Sequence, residues 1–363
     1  MVTRHDGAVP DPLRIAYTVE QCWHPVPGGT AIASLEVARR LLDRVDMTLI
    51  GVAGRHRREP RPPFVPPAGT RQLPVARPWL YETWNRFDWP KVERAAGPID
   101  VCHSTTAIPA ATDAAHVVTV HDVAFLHAPE RFTAHGVRVM RRGLERCRSA
   151  DLVLCPSRAT GDDLVAEGFD DARIRVVPWG VETVTVSEDD RVRVARTYRL
   201  PPEFVLFVGT IEPRKNLAGL AAAVRGFDLP VVAAGAEGWG DAGATTTDVR
   251  FLGFVAAADL PALYSLATVF AYPSLAEGFG LPVAEAMAQG APVVTSHGTS
   301  TEEVAGGAAV LVEPTDIESI ADGLRQAIDR RAELVALGTA RAAELSWDAT
   351  VDATVAAYRE VTR

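Results

Sequence analysis

The 363-residue sequence predicts an α/β fold made of two parallel-sheet domains, and three observations carry that expectation. β-Branched apolar runs alternate with amphipathic stretches almost throughout, the pattern of a parallel sheet covered by helices on both faces. The alternation breaks once, at the polar stretch from Glu182 to Arg199, and then restarts. The length is long for one domain and comfortable for two.

Taken in order, residues 13–19, 47–52, 117–120, 152–154 and 174–177 read as buried strands, with helices expected over 30–42, 132–148 and 158–167. After the break, strands are expected at 204–208, 231–234, 249–252, 268–272, 292–295 and 309–312. Helices at 216–225, 258–266, 281–289 and 317–330 separate them. These readings divide the chain into an N-terminal domain over 1–190, a C-terminal domain over 191–345 and a final helix region over 346–363 that returns to the first domain. Ligands of open α/β sheets sit beyond the carboxyl ends of the strands, so two such domains are expected to face each other across a cleft. Chemistry is therefore sought just after each strand.

Composition narrows the function. A formal net charge of -9 argues against nucleic-acid binding, which needs a basic face. The four cysteines, Cys22, Cys102, Cys147 and Cys155, lack metal-ligand spacing and read as reduced core thiols. The first eleven residues are polar, and no apolar run approaches the roughly twenty residues of a membrane span. A cytoplasmic protein is expected, with contact to the inner face of the membrane left open.

The strongest signal is the string Glu277-Gly-Phe-Gly-Leu-Pro-Val-Ala-Glu285. It leaves an apolar strand and enters a helix whose first N–H groups suit phosphate or sugar oxygens. Glu277 precedes the helix and Glu285 lies about one turn inside it, two acceptor groups beside exposed amides. A second signal follows another strand: Gly209-Thr-Ile-Glu-Pro-Arg214-Lys215-Asn. Two cations opening a helix oppose its dipole, and a bound diphosphate would compensate them. Only Lys91 and Lys215 among the 37 basic residues are lysines, which sharpens the placement of Lys215.

Two weaker signals lie in the first half. His121 of Thr119-Val-His-Asp122 directly follows a strand, where a ring can reach a ligand. Pro25-Val-Pro-Gly28-Gly29-Thr30 is a turn that permits a loop over phosphates, although it is not a GxGxxG fingerprint. The aromatic segment from Trp79 through Tyr81 and Trp84 to Trp89 reads either as packed core or as an acceptor surface. The basic loop from Arg55 to Arg61 reads as a solvated loop or as an attractor for a phosphorylated or membrane-borne acceptor.

The string Ala271-Tyr-Pro-Ser-Leu-Ala-Glu-Gly-Phe-Gly-Leu-Pro-Val-Ala-Glu-Ala-Met-Ala288 resembles the GT-B-fold glycosyltransferases of family 4, also described as group 1. The resemblance is strongest over residues 200–315 and continues more weakly through the first half. It implies two Rossmann-like domains and a mannosyltransferase-like activity. By this resemblance Glu277 contacts the transferred sugar, Glu285 the ribose, and Lys215 with Arg214 and Gly209 the diphosphate. The amides of Phe279, Gly280 and Leu281 hold sugar hydroxyls or phosphate, and Gly253, Phe254 and Val255 flank the base. Gly28 and Gly29 cover the phosphates, and His121 lies near the sugar. Trp79, Tyr81 and Trp84 are the candidate acceptor contacts. Thr210 stands where several members carry arginine, which places more of the diphosphate on Arg214 and Lys215. The segment around Glu302 and Glu303 lacks a proline often found before it.

The expected reaction is a retaining transfer of a hexose from GDP-mannose or a UDP-hexose to a hydroxyl of a glycan, lipid-linked or small-molecule acceptor. No Asp-x-Asp triplet is present and none of the signals needs a metal or other cofactor, since Lys215, Arg214 and helix N-termini can stabilise the leaving diphosphate. The competing readings are a sugar-nucleotide epimerase or a phosphorylase on the same fold, and a non-catalytic sugar-nucleotide-binding protein. A phosphorylase needs a pyridoxal lysine, for which neither Lys91 nor Lys215 has a suitable context. A non-catalytic protein is expected to have lost Glu277, Lys215 or His121, and all three are present.

Overall fold

The computed structural model describes residues 11–24, 27–236 and 249–363. Pro25 and Val26 of the glycine-rich turn, and the first ten residues, lie outside the described residues. The strands are β1 (Leu13–Thr18), β2 (Met47–Ala53), β3 (Thr70–Gln72), β4 (Val101–Ser104), β5 (Ala115–Thr119), β6 (Leu152–Cys155), β7 (Ile174–Val176), β8 (Val205–Val208), β9 (Val231–Ala234), β10 (Val249–Gly253), β11 (Val269–Tyr272), β12 (Val293–Ser296) and β13 (Val310–Val312). The helices are α1 (Gly28–Leu42), α2 (Trp79–Phe87), α3 (Glu93–Ala96), α4 (Ala124–His127), α5 (Ala134–Cys147), α6 (Arg158–Ala166), α7 (Glu188–Thr197), α8 (Leu217–Ala223), α9 (Leu260–Leu266), α10 (Leu281–Ala288), α11 (Ser300–Ala305), α12 (Ile317–Asp329), α13 (Arg331–Glu344) and α14 (Trp347–Val361).

One sheet has the order β3-β2-β1-β4-β5-β6-β7 and the other β10-β9-β8-β11-β12-β13. The strand pairs with a defined register are all parallel, which confirms the expected α/β class. The order reverses direction between β1 and β4 in the first sheet and between β8 and β11 in the second. Each reversal leaves a crevice at the carboxyl ends of two adjacent strands, where neighbouring connections diverge to opposite faces.

The chain divides into two compact units. The first holds the chain up to Thr119 with Glu145–Val153 and Thr354–Arg363; the second holds Val120–Leu144 and Leu154–Ala353. The first unit's core gathers Ala16, Val52, Leu80, Trp84, Val92 and Cys102. Its segment from α14 plugs in through Tyr358, which is fully buried and lies 2.6 Å from His103 Nδ1 through its phenol oxygen. The second unit's core includes Phe207, Phe270 and Tyr272, whose rings pack on one another. All four cysteines are buried and unpaired, as expected. Among the described residues, no helix is long and apolar enough to cross a membrane.

Several elements depart from the expected pattern for physical reasons. The polar stretch after residue 182 contains α7, whose one buried side chain is Val194, so no apolar stripe announces it. It is started by the Ser187 side chain, which accepts from Asp190 N, and by three acids in the first turn that suit the helix dipole. It is held to α9 by Asp259, which accepts from Arg193 at 2.7 Å and Tyr198 at 2.9 Å. Helix α13 also escaped the reading: it buries only Leu334, Gly338 and Ala342, a narrow stripe of mostly small residues. Strands β3 (Thr-Arg-Gln) and β4 (Val-Cys-His-Ser) carry too few apolar side chains to read as buried runs. Helix α1 begins at Gly28, two residues before the expected start, so Gly28 and Gly29 form its first turn rather than a free loop.

Candidate active site

The second sheet's crevice is lined by the loops that leave β8 and β11. After β8 the chain passes Gly209, then a short 3-10 turn, Pro213–Lys215, that carries both cations. After β11 it passes Pro273 and Ser274 to Glu277, then enters α10. The two loops are tied together: Leu275 N donates to Arg214 O at 2.8 Å, and Ser274 Oγ donates to the same carbonyl at 3.1 Å.

Their side chains form one ionic cluster. Arg214 Nη1 lies 2.9 Å from Glu277 Oε2, and its Nη2 lies 2.8 Å from Glu212 Oε1. The guanidinium also donates to Ala276 O at 2.7 Å. Lys215 Nζ lies 3.5 Å from Glu277 Oε1 and donates to the Tyr272 phenol, which in turn donates to Glu277 Oε1 at 3.0 Å. Ser274 Oγ also lies 3.0 Å from Glu277 Oε1, an alternative acceptor for its one hydrogen. The Glu277 side chain is 10% exposed and Lys215 11%, so the charges are largely removed from water but still reachable. Burial pushes the Glu277 carboxyl up, yet Arg214, Lys215 and the hydrogen bonds from Arg214 and Tyr272 outweigh it and hold the group down at about 2. Burial likewise opposes the Arg214 charge, and Glu277, Asp122 and Glu212 outweigh that opposition. Glu277 and Arg214 are thus held in their ionised forms at neutral pH.

Glu285, one turn into α10, belongs to a neighbouring network. Its Oε2 accepts from Tyr264 OH at 2.7 Å. Burial raises its carboxyl to about 7, and the Tyr264 hydrogen bond offsets only part of that. The two glutamates of one motif therefore carry different charge states near neutrality, because one faces cations and the other does not.

The backbone around them is shaped by close approach. A Cβ on Gly278 would fall 1.8 Å from His121 O, so only glycine lets the loop after β11 meet the segment carrying His121. Gly278 O is held by Ser157 Oγ at 2.6 Å and Thr160 Oγ1 at 3.2 Å. Gly280, at φ 96°, starts α10 with no side-chain cap, leaving the helix N-terminus to other partners. His121 is half-buried, its ring 5.4 Å from Trp179 in an edge-on contact; Trp179 lies 5.4 Å from the Phe279 ring. Phe279 is 3% exposed and Val255 5%, so only their backbone can meet a ligand, whereas the Phe254 side chain is open. Gly209, Gly253 and the unforeseen Gly235 succeed one another at the ends of β8, β10 and β9: Gly235 N donates to Gly253 O at 2.8 Å, and Gly209 N donates to Ala234 O at 2.9 Å.

The structure thus gathers Gly209, Arg214, Lys215 and Glu277 around one crevice, places Glu285 in the next network, and sets His121 against the loop that follows Glu277. Gly28 and Gly29 open α1 in the other unit. The aromatic segment splits. Trp84 is 1% exposed in the first unit's core, its Nε1 donating to Pro90 O at 3.0 Å, which corrects the expectation that it contacts an acceptor. Trp79 is 70% exposed, and Tyr81 is half-buried beside His24. Sequence reasoning missed Glu212, Tyr272, Ser274 and Asp122 as members of the ionic cluster. All four stand inside the quoted strings, but nothing in their spacing says which charge each one meets.

Comparison with known proteins agrees with this fold. The family described as "Glycosyl transferases group 1" matches residues 190–342, and that described as "Glycosyltransferase Family 4" matches residues 27–185. The O-antigen chain mannosyltransferase B of Escherichia coli is 33% identical over 266 residues, covering 67% of this chain and 70% of that protein. A D-inositol 3-phosphate glycosyltransferase of Mycobacterium avium (strain 104) is 34% identical over 216 residues, 53% of this chain and 51% of its own length. Among solved structures, HepE of Anabaena in complex with UDP and glucose superposes with a TM-score of 0.73 at 18% identity, covering 96% of this chain and 100% of that one. WaaG, a glycosyltransferase involved in lipopolysaccharide biosynthesis, gives a TM-score of 0.71 at 15% identity over 96% and 99%. At these identities the structural likeness speaks to the fold.

Proposed function

Because this chain belongs to the group 1 glycosyltransferases of the GT-B fold, we propose that it transfers a hexose from a nucleotide diphosphate sugar bound at the crevice between β8 and β11. The observation that carries this reading is the convergence of Arg214 and Lys215 on Glu277 at the carboxyl ends of two adjacent strands. Two cations in a poorly hydrated crevice suit a diphosphate, and charge-assisted hydrogen bonds to phosphate oxygens strengthen as negative charge builds up on departure. Glu277 accepts from hydroxyls of the transferred sugar, Glu285 from the ribose, and the uncapped start of α10 receives phosphate or sugar oxygens.

In the proposed reaction the bond from the anomeric carbon to the diphosphate oxygen breaks and a bond to the acceptor hydroxyl oxygen forms on the same face. The acceptor's proton passes to the departing phosphate oxygen, so configuration is retained without a covalent enzyme intermediate. Lys215 and Arg214 supply the positive charge that a metal supplies in other transferases, and turnover is expected to survive chelation with EDTA. The names of the relatives are those of mannosyltransferases, which favours a mannose-bearing donor. The UDP complex of a structural neighbour keeps UDP-hexoses in play.

The test is a thermal-shift and calorimetric screen of GDP-, UDP- and dTDP-sugars against the wild type and Lys215→Ala. A ligand at a hundred times its dissociation constant stabilises the fold by about 2.7 kcal/mol. Stabilisation of the wild type by one nucleotide sugar, reduced in Lys215→Ala, supports the assignment. Equal stabilisation of both proteins removes Lys215 from the diphosphate site.

A further inference from the structure

The glutamate inside α10 has a partner that the donor reading does not use. Tyr264 lies in α9 and is the one titratable residue of that helix. It is 1% exposed, and its ring stands edge-on to Phe270 at 5.5 Å, with 68° between the planes. Fixed in this way, its hydroxyl donates to Glu285 Oε2 at 2.7 Å. Glu285 itself is half-buried, and no hydrogen bond from the described residues reaches its other oxygen, Oε1. One oxygen is anchored and the other is left for a ligand, so the plane of the carboxyl is set before anything binds.

Among the described residues, the charged side chains on the elements packed against α10 are engaged elsewhere. Strand β12 has no titratable side chain, and β11 contributes Tyr272, whose hydroxyl is bound to Glu277 and Lys215. On α11, Glu302 accepts from Gly298 N at 2.7 Å and Glu303 from Arg158 N at 2.9 Å. On α13, Arg331 donates to Ala267 O and Arg341 to Val304 O, while Glu333 and Glu344 pair with Arg330 and Arg341. Asp259, ahead of α9, is taken by Arg193 and Tyr198. With no cation facing Glu285, burial dominates and the Tyr264 hydrogen bond offsets only part of it, so the carboxyl titrates at about 7.

We propose that Tyr264 is a positioning residue for nucleotide binding: it presents Glu285 Oε1 to the ribose diol, and closure on that diol expels a proton from the Glu285 carboxyl. In the complex the carboxylate accepts from Tyr264 and from both ribose hydroxyls. Hydrogen bonds donated to the charged form favour it, so the diol lowers the proton affinity of the carboxyl and the proton passes to solvent. Donor affinity therefore rises with pH across neutrality. The proposal rests on the transferase reading above, in which Glu285 meets the ribose.

The test is isothermal titration calorimetry of the full chain with GDP and its 2′,3′-dideoxy analogue, and with UDP and its analogue, from about pH 6 to about pH 8. Each pair carries the same phosphates, so the ratio of the two affinities isolates the diol. That ratio is expected to rise about tenfold across the range. At about pH 7 the ribonucleotide is expected to release about half a proton more than its analogue, read from buffers of different ionisation enthalpy. Tyr264→Phe keeps the ring and is expected to move the rise upward by about one pH unit, whereas a tyrosine that merely packs leaves the midpoint in place. Glu285→Gln cannot titrate; it is expected to flatten the ratio, and it serves if Tyr264→Phe does not fold. A flat ratio in the wild type, a ratio that still rises in Glu285→Gln, or an unmoved midpoint in folded Tyr264→Phe overturns the proposal. Equal affinity within each pair at every pH, with both ligands weakened by Lys215→Ala, overturns it and leaves the diphosphate reading standing. Binding of neither GDP nor UDP overturns both.

Discussion

Tyr272 hydrogen-bonds both Lys215 and Glu277 through a single hydroxyl, so the cation assigned to the diphosphate and the carboxylate assigned to the sugar share one buried positioning group. Replacing Tyr272 with Phe keeps the ring, which packs between Phe207 and Phe270, and removes only that bridge. Turnover is expected to fall about tenfold, with a stability loss near 1 kcal/mol. Steady-state kinetics together with urea denaturation check this. Unchanged kcat with the full stability loss assigns the hydroxyl to the fold alone.

Lys215→Ala is expected to lower kcat at least about a hundredfold if the ammonium stabilises the leaving group. Arg214→Ala carries a further cost, because Glu212 and Glu277 both lose the guanidinium that neutralises them. Breaking a buried pair in this way destabilises by about 3–5 kcal/mol. Equal melting temperatures for the two variants contradict that account of Arg214.

Glu285 sets a pH dependence. Its carboxyl ionises near 7 in the fold against 4.5 when solvated, so the unfolded chain releases the proton first. Stability therefore falls as pH rises from about 4.5 to 7 and is level above that, with a total penalty of up to about 3 kcal/mol. Glu285→Gln is expected to be more stable than the wild type at pH 8 and no more stable at pH 4. Melting curves across that range decide it; a gain that is the same at both ends removes Glu285 as its source.

Gly278→Ala forces a methyl group against the His121 carbonyl. A loss of about 1–3 kcal/mol or more is expected, with reduced turnover from the displaced His121 segment. Chemical denaturation and kcat on the same preparation test both parts, and an unperturbed, fully active variant shows that the loop has room to give.

Much of the fold was legible because the strands are buried on both faces and read as continuous apolar runs, as Val205–Val208 and Val231–Ala234 show. Helix α7 was not, since Arg193 fastens it by a salt bridge to Asp259 rather than by an apolar stripe. The cations and carboxylates of the donor crevice were visible as strings, and Lys215 stood out against an arginine-rich background. Their pairing was not, because Glu212 meets Arg214 two residues away while Glu277 meets it across the sheet. Trp84 shows the reverse error, an aromatic whose apolar body and satisfied indole N–H place it in the core.

Tyr358 fills a hole in a core whose other walls are made more than two hundred residues earlier, by Tyr17 and His103. During synthesis, then, the opening portion of the polypeptide emerges from the ribosome well ahead of its last interior piece. That portion must wait, incompletely packed, while the whole second sheet is translated. Maturation of the two halves is thereby coupled in time: the half made first is finished last.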